Sequence, residues 1–447
     1  GTYYVYNDNY LNSGGRYNPS LDSWTATSTG TNVPATRTKH KAIWTGSEMI
    51  IWGGWSGSSN YYGNGGRYSP LSDTWLPIST STNCPTPRYN FTCVWTGTEM
   101  IIWGGYSSNL SPYYKNDGGR YQPSTDSWNS ITTTGAPSAR ENASAIWTGS
   151  EMIVWGGCGS TSSPYYKSDG GKYTPANDSW TPTSNTNTPS ARHSHTSIWT
   201  GTEMIVWGGY TGTSPYYTNT GGKYNPLTDS WIATSIGANV PTERCYHTAV
   251  WTGTEMIVWG GQIAVSPYNT NTGGRYIPDT NIWSPTGISV NCPSSRYSHT
   301  AIWTGNSMIV WEGKTDAQYW ATGGIYQPGQ APQGFPSCTA SDIDNCNLNL
   351  LINWPTDPAD WNDTGGEYSR EYHIYRNDQL LTTGGCSGAI PYATTACTDN
   401  TTQKNQSYNY SVEYINACGA GGKTTNATVT DVAVVTPTIS GPSPACG

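Results

Sequence analysis

The chain of 447 residues is long enough for two domains with sizeable cores. Only 11% of its residues are charged and its formal net charge is −8, which excludes the clustered basic surface of a nucleic acid-binding protein. No apolar run is long enough to cross a bilayer, so we expect no membrane insertion. The 22 Trp, 33 Tyr and 52 Gly favour strands and tight turns over helices.

The chain opens with two elements that recur along most of its length. A Gly-Gly-x-Tyr element begins at Gly14 and returns at Gly65, Gly118, Gly170, Gly221, Gly273 and Gly323. An aromatic closing element follows each of the first six copies, at Trp24, Trp75, Trp128, Trp180, Trp231 and Trp283. A Pro-x-x-Asp turn lies between the two in several copies, so each segment predicts a β-hairpin.

A second hairpin precedes each later Gly-Gly-x-Tyr element. It reads Ala-Ile-Trp, then a Thr-Gly turn, then Met-Ile-Val-Trp, and its first Trp stands at Trp44, Trp95, Trp147, Trp199, Trp251 and Trp303. Successive copies are 51, 52, 52, 52 and 52 residues apart. The apolar runs lack polar alternation, which is typical of strands covered on both faces. Four strands in a period near fifty residues predict a propeller or solenoid.

The spacing of these residues resembles the kelch repeat over residues 1–328. One unit carries Arg192, His195, Trp199, Gly208-Gly209, Tyr224 and Trp231 in this order. The resemblance is to the propellers of secreted bacterial proteins and implies an all-β, kelch-like β-propeller. Six first strands, six second, seven third and six closing strands are predicted. Seven blades with an incomplete N-terminal blade are favoured over six, the missing strands coming from an upstream segment or another chain.

A different composition begins after the repeats. Residues 329–336 form a Pro- and Gly-rich linker, and residues 337–435 are predicted to form a small β-sandwich with strands near 348–354, 368–376, 408–416 and 425–435. The segment Tyr408-Asn409-Tyr410-Ser411-Val412 resembles a late strand of a fibronectin type III domain, which would make Trp354 its core Trp. Residues 436–447 are expected to be a linker or tail.

One arginine stands seven residues before the first Trp of each of these second hairpins. The six are Arg37, Arg88, Arg140, Arg192, Arg244 and Arg296. Two roles are open for them. They form a ring on one face of the propeller and bind carboxylates, sulfates or sugars, or each ties loop carbonyls within its own blade.

Three residues after each Arg stand His40, Phe91, Ala143, His195, His247 and His299. Because Phe and Ala occupy two of these positions, packing is favoured over metal binding. Cys245-Tyr246-His247 is an exception to be weighed, since Tyr246 and His247 resemble the adjacent Tyr-His copper ligands of the copper radical oxidases. A second Tyr beside a suitable Cys is not found, so no cofactor is expected and copper belongs only to this alternative.

The loops after the Gly-Gly pair carry paired tyrosines. These are Tyr61, Tyr62, Tyr113, Tyr114, Tyr165, Tyr166, Tyr216 and Tyr217. They are predicted to lie on the same face as the arginines. Either they form a stacking surface for a protein or a sugar, or they pack between adjacent loops and stiffen them.

The 11 Cys do not form the paired spacing of a zinc site, so disulfides and an oxidising compartment are the leading interpretation. Cys386 with Cys397 is the preferred local pair, and Cys84 with Cys93 is a second candidate. We therefore expect an extracellular or cell-surface protein whose export signal is not present in this chain.

The function expected from these features is that of a non-enzymatic binding or assembly scaffold. Its partners would be a protein, further copies of itself, or glycans. The alternatives are a carbohydrate-active or copper radical oxidase similar to galactose oxidase, and a lectin-like module. A fold of this kind is compatible with many functions, so the site decides.

Overall fold

Every regular element of the described residues is a β-strand. The computed structural model describes residues 10–57, 59–109, 111–159, 165–237, 239–286, 292–328, 338–342, 349–355, 371–391, 394–403, 405–415, 421–424 and 426–431. Within these ranges no helix is present that has the length and apolar character needed to cross a membrane.

The predicted first hairpin of each unit is present six times. Its first strands are β3 (Lys41–Trp44), β7 (Thr92–Trp95), β11 (Ser144–Trp147), β15 (Thr196–Trp199), β19 (Thr248–Trp251) and β23 (Thr300–Trp303). Its second strands are β4 (Met49–Trp52), β8 (Met100–Trp103), β12 (Met152–Trp155), β16 (Met204–Trp207), β20 (Met256–Trp259) and β24 (Met308–Trp311). The glycine of each Thr-Gly turn has a positive φ, as at Gly97 (φ 102), where a side chain would be strained.

The predicted second hairpin supplies the outer strands. The third strands are β1 (Gly15–Asn18), β5 (Gly65–Ser69), β9 (Gly118–Gln122), β13 (Gly170–Thr174), β17 (Gly221–Asn225), β21 (Gly273–Ile277) and β25 (Gly323–Tyr326). The closing strands are β2 (Ser23–Ala26), β6 (Thr74–Pro77), β10 (Ser127–Ser130), β14 (Ser179–Pro182), β18 (Ser230–Ala233) and β22 (Ile282–Pro285). The Gly-Gly pair is needed because a Cβ on Gly118 would lie 2.1 Å from the carbonyl oxygen of Ile102 in β8.

These strands pair into antiparallel sheets with the strand order of β-propeller blades. Five antiparallel sheets have four strands each, in the order first, second, third and closing strand, and we number them first to fifth blade from β3–β6 to β19–β22. A three-stranded sheet of β23, β24 and β25 follows. Strands β1 and β2 form a two-stranded sheet, which we call the half-blade. The predicted numbers of strands of each type are therefore confirmed.

Apolar cores form between successive blades. Val94, Ile101 and Trp103 of the second blade pack with Met152, Val154, Tyr173 and Trp180 of the third in one buried cluster. Each blade is also joined to the connection that leads into it. In the second blade, Asp126 Oδ1 accepts from the Tyr121 hydroxyl (2.6 Å) and from the Ser79 amide (3.0 Å). The Trp128 indole donates back to the Ser79 carbonyl at 3.0 Å.

The chain divides into two compact units. The first contains Gly1–Thr270 and Tyr276–Ile282, and the second contains Asn271–Arg275 and Trp283–Gly447. In the first unit, the inner strands β3, β7, β11, β15 and β19 pack side by side in chain order. The predicted linker at 329–336 and the predicted tail at 436–447 lie outside the described residues.

The second unit includes two further sheets after the repeats. Their strands are β26 (Thr339–Asp342), β27 (Leu350–Asn353), β28 (Glu371–Arg376), β29 (Gln379–Leu380), β30 (Ile390–Pro391), β31 (Ala396–Asp399), β32 (Gln406–Ile415), β33 (Gly421–Lys423) and β34 (Ala427–Asp431). One sheet has the order β26-β27-β31, and the other is built around β28 and β32. Ile352 from the first sheet and Ile374 and Val412 from the second share one core, in which Trp354 is also buried.

The cysteines follow one prediction and depart from another. Cys386 and Cys397 form a disulfide with an Sγ–Sγ distance of 2.06 Å. Cys84 and Cys93 remain thiols, so the predicted bridge between them is not formed. The reason is their separate surroundings: the Cys84 thiol lies 3.3 Å from the Gly63 carbonyl in a loop, whereas Cys93 is part of β7 and burial raises the pKa of its thiol to about 12.

Candidate functional site

The repeated arginines are buried inside their own blades. Arg88 has no exposed surface, and its guanidinium donates to the carbonyls of Thr86 (2.8 Å), Gly104 (3.1 Å) and Asp117 (3.1 Å). It also forms a bidentate ion pair with the Asp117 carboxylate, with N–O distances of 2.9 and 3.0 Å. Burial opposes ionisation of Asp117, but the hydrogen bonds and charge of Arg88 outweigh it and hold the pKa of that carboxyl below its ordinary value.

The same frame recurs in every blade with small changes. Arg140 pairs with Asp169 at 3.0 Å, whereas Arg192 donates to the Thr220 hydroxyl at 3.0 Å. All six arginines are 6% exposed or less, namely Arg37, Arg88, Arg140, Arg192, Arg244 and Arg296. These contacts support the structural alternative for the arginines, since buried guanidinium groups bonded to carbonyls present no donors to a ligand.

In the second to fifth blades, the residue three positions after the Arg packs against the preceding blade. The His195 ring meets Trp155 edge-on at 5.2 Å, and its Nε2 lies 2.8 Å from the Ser144 hydroxyl. Burial, with the nearby charge of Arg192, lowers the pKa of His195 to about 3. Phe91 of the second blade makes the same edge-on contact with Trp52 of the first blade, at 5.3 Å. The shared contact indicates a packing role for this position.

Above the strands, each blade carries a short ladder of three bridged residues. The ladders are Thr38–Trp55–Tyr61, Tyr89–Tyr106–Tyr114, Glu141–Cys158–Tyr166, His193–Tyr210–Tyr217 and Cys245–Gln262–Asn269 in the first unit. We call this set the bridge layer. Its first member directly follows the buried Arg, so the arginine fixes the backbone on which a different side chain stands in each blade.

Aromatic rings of the bridge layer contact one another across neighbouring blades. Tyr61 stacks on Tyr89 at 5.6 Å, and Tyr89 contacts Tyr106 at 5.7 Å. In the third and fourth blades, Tyr166 stacks on His193 at 5.3 Å. These contacts cross between loops and hold them in fixed positions.

The eight predicted tyrosines divide into two groups. Tyr114, Tyr166 and Tyr217 belong to the bridge layer and pack inward, whereas their neighbours point outward. In the first blade both members pack: Tyr61 bonds to the Ser108 hydroxyl at 2.8 Å, and Tyr62 lies under Arg37 at 4.2 Å. These contacts support the stiffening alternative for the inward members, and the outward members stay candidates for the stacking surface.

The outward tyrosines form a repeating feature that we call the tyrosine row. Tyr113, Tyr165, Tyr216 and Tyr268 are 47%, 49%, 53% and 54% exposed and occupy the same loop position in four successive blades. Tyr268 was missed by the pairing of tyrosines, because Asn269 follows it. The Ser266-Pro267-Tyr268 sequence, shared with the loops of Tyr113 and Tyr216, was the signal that identifies it.

The aromatic contacts are interrupted at the third blade by polar side chains. We call Lys39, Asn90 and Glu141 together the polar gap. Glu141 accepts a hydrogen bond from the Asn90 side chain at 2.8 Å. Burial raises the pKa of Glu141, while the Asn90 bond and the charge of Lys39 oppose this rise. The Lys39 ammonium lies 4.6 Å from the centre of the Tyr89 ring. Cys158 stands beside Glu141 in the ladder, and burial raises the pKa of its thiol to about 12.

The two residues of the copper alternative have different surroundings. His247 is buried, its Nε2 lies 2.9 Å from the Thr196 hydroxyl, and its ring meets Trp207 edge-on at 5.2 Å. Tyr246 is 38% exposed, and burial of its hydroxyl raises its pKa. No group of three His, Cys, Asp or Glu side chains with the spacing of a metal site occurs in the part of the chain that the structure describes.

Known proteins share the repeat region. A family model described as the KLHDC2/KLHL20/DRC7 kelch-repeats domain matches residues 2–199 and 143–322. Kelch domain-containing protein 3 of Bos taurus is 24% identical over 237 residues, or 51% of this chain and 62% of that protein. Kelch domain-containing protein 10 of Homo sapiens is 24% identical over 251 residues, or 51% of this chain and 55% of that protein. The chain thus spans less than two thirds of either relative.

Proposed function

This chain belongs to the kelch-repeat domain family, and we propose from that premise that the tyrosine row and the polar gap bind a protein partner. Kelch repeat proteins generally mediate protein–protein interaction. The observation that carries the proposal is the equal placement of four half-exposed tyrosines in successive blades. A Tyr that only filled a loop would be no more exposed than the partly buried Tyr114, Tyr166 and Tyr217.

The tyrosine row suits a protein surface for two physical reasons. Each phenol ring offers a large contact area and loses little conformational entropy on binding. The neighbouring bridge-layer aromatics already order the loops, so the partner need not do so, and affinity gains from that preorganisation.

The polar gap indicates which chemical groups a partner would place against this surface. Lys39 of the first blade supplies an exposed positive charge, and Asn90 of the second blade and Glu141 of the third supply hydrogen-bonding groups. The partner that fits is a polypeptide segment with apolar or aromatic side chains against the tyrosine row and an acidic or polar group against Lys39.

Two matched double variants test this surface. Tyr165→Ala with Tyr216→Ala removes half of the tyrosine row. Leu71→Ala with Leu227→Ala removes side chains that are 99% and 92% exposed in the turns between third and closing strands. Peptides selected from a displayed random library against the wild-type chain are then measured on both variants by biolayer interferometry.

We expect the selected peptides to compete with one another and to lose about tenfold or more in affinity on the tyrosine variant, since exposed contact residues of this type are frequent hot spots. The leucine variant should bind them as the wild type does. Peptides that ignore the tyrosine variant would overturn the proposal. Binding on a glycan array that the tyrosine variant abolishes would assign the surface to sugars, and assembly of the chain with itself that the same variant abolishes would assign it to further copies.

We further propose that the chain is a non-enzymatic scaffold that works outside the cell, with a fibronectin type III-like second module. The Cys386–Cys397 disulfide supports an oxidising compartment, and the two sheets around Trp354 support the module. The mass of the protein after alkylation without reduction, taken from its native source, tests the location. Alkylation of Cys386 and Cys397 in that material would contradict it.

A further inference from the structure

The half-blade is attached to the first blade as a complete blade would be. Arg16 donates to the Pro70 carbonyl at 2.7 Å, and the Ser28 amide donates to Asp73 at 2.9 Å. The Trp75 indole donates to the Ser28 carbonyl at 3.1 Å. Strands β1 and β2 therefore hold a defined place beside β3–β6.

The same three bonds join the second blade to the third. Arg120 donates to the Pro175 carbonyl at 2.8 Å, the Thr132 amide to Asp178 at 3.1 Å, and the Trp180 indole to the Thr132 carbonyl at 3.0 Å. Strands β1 and β2 consequently occupy the positions of a third and a closing strand.

In a complete blade, the third strand pairs on its inner side with the second. The fourth blade shows the register, in which Met204 faces Tyr224, Val206 faces Gly222 and Trp207 faces Gly221. Among the described residues, β1 pairs only with β2. It also begins at Gly15, the second glycine of its pair, whereas β17 begins at the first.

Gly14 retains room for a strand at this edge. A Cβ on the equivalent Gly221 would lie 2.2 Å from the Val206 carbonyl oxygen, which explains why this position is glycine. A Cβ on Gly14 would meet only the Thr27 hydroxyl, at 3.3 Å. The sequence thus keeps the space that a neighbouring carbonyl needs, although no described strand uses it.

The adjacent side of β3 is exposed in the same way. Trp44 is 53% exposed, and Ala42 on the same face of β3 is exposed too. In the third blade, the equivalent Ala145 and Trp147 are partly buried against the cluster that includes Ile101 and Trp103 of the preceding blade. An apolar surface therefore lies between the edge of β1 and the side of β3.

We propose that the edge of β1 and the exposed side of β3 form a docking site for a β-hairpin with the inner-strand sequence of this repeat. The second strand of that hairpin pairs with β1, with its Met, Ile, Val and Trp opposite Tyr17, Arg16, Gly15 and Gly14. Its first strand packs against β3 as β3 packs against β7. The pairing gives the backbone groups of β1 their partners, and the apolar side chains cover Trp44.

An extended chain tests the site directly. A copy of residues 196–207, the inner hairpin of the fourth blade, is joined to Gly1. Residues 1–13 then form a connection equal in length to residues 208–220, which join β16 to β17. The amides of residues 15–18 should exchange with deuterium about tenfold more slowly than in the unextended chain, and the melting temperature should rise by about 3 °C.

Two controls separate docking from a general effect of the extension. Gly14→Val should leave the unextended chain unchanged and abolish the protection in the extended chain. A copy carrying Ile205→Asp and Val206→Asp should give no protection. Equal exchange in both chains, or protection that survives Gly14→Val, would overturn the proposal. Dimerisation of the unextended chain that Gly14→Val abolishes would assign the edge to a second copy and would also overturn it.

Discussion

Replacement of His195 by Phe should destabilise the protein at slightly alkaline pH and stabilise it in mild acid. His195 is buried between the third and fourth blades, where its ring meets Trp155 and its Nε2 bonds to the Ser144 hydroxyl. Phe91 occupies the equivalent position in the second blade. The substitution therefore introduces a side chain that the repeat already accommodates and removes the group that titrates.

The size of the effect follows from two terms. Loss of the 2.8 Å hydrogen bond to Ser144 costs about 1 kcal/mol of unfolding free energy at every pH. The pKa of His195 is lowered from 6.5 to about 3 by burial, so its contribution to stability is full above pH 6.5 and is lost as the pH falls through that window. The loss is about 1.4 kcal/mol per pH unit, or about 2 kcal/mol at about pH 5.

His195→Phe should then be less stable than the wild type by about 1 kcal/mol at about pH 7.5 and more stable by about 1 kcal/mol at about pH 5. Guanidinium unfolding at both pH values, followed by tryptophan fluorescence, measures the difference. Deuterium exchange in β11 and β15 verifies that the change lies at this joint. Parallel stability curves for the two proteins across this range would refute the reasoning, because they would mean that His195 does not titrate differently on folding.

Three other substitutions have expected outcomes. Arg88→Met should cost about 3 kcal/mol of unfolding free energy near neutral pH, mainly because the carbonyls of Thr86, Gly104 and Asp117 lose their donor. The Asp117 carboxylate is 43% exposed, so its lost ion pair adds only a small part, which should disappear in acid as Asp117 takes up a proton. Unchanged stability with lost peptide binding would contradict the structural role of the arginine. Glu141→Gln should raise the melting temperature at neutral pH and lose that advantage in acid, since burial raises the pKa of Glu141 and its charge opposes folding; an advantage that is constant with pH would count against this. Gly118→Ala should cost about 3 kcal/mol and Gly97→Ala about 1 kcal/mol in urea unfolding, because only the first meets a backbone carbonyl, and equal losses would contradict this difference.

The strands of the blades could be predicted because each type of strand repeats a short, nearly constant sequence. Residues 204–207 were predicted to form a strand from Met-Ile-Val-Trp alone, and the structure places β16 there. The Gly-Gly pair was also visible as a repeated element, and its cause, the carbonyl of the second strand, became clear only from the distance in the fold. Repetition in register therefore gave the pattern of strands.

The candidate site depended on contacts that repetition does not encode. Glu141 and Asn90 stand 51 residues apart and meet across two blades. Each occupies a repeat position at which the residue changes from blade to blade, so no common motif marks it. The wrong pairing of Cys84 with Cys93 has a related cause: nine residues of separation suggested proximity, but one thiol lies in a loop and the other in a strand. Tyr268 was accessible from its Ser-Pro sequence and was missed because its neighbour differs.

The bonds that Asp126 makes have a consequence for how such a chain can be lengthened or shortened. The carboxylate bonds to an amide 47 residues earlier, in the connection that leads into its blade. That separation is shorter than one period of 52 residues, so both sides of the joint lie within a single unit of sequence. A unit that is duplicated, removed or moved to another chain takes these bonds of Asp126 with it. At its new borders such a copy needs only the contacts that neighbouring blades make with each other, such as the bond from Arg120 to the Pro175 carbonyl 55 residues later.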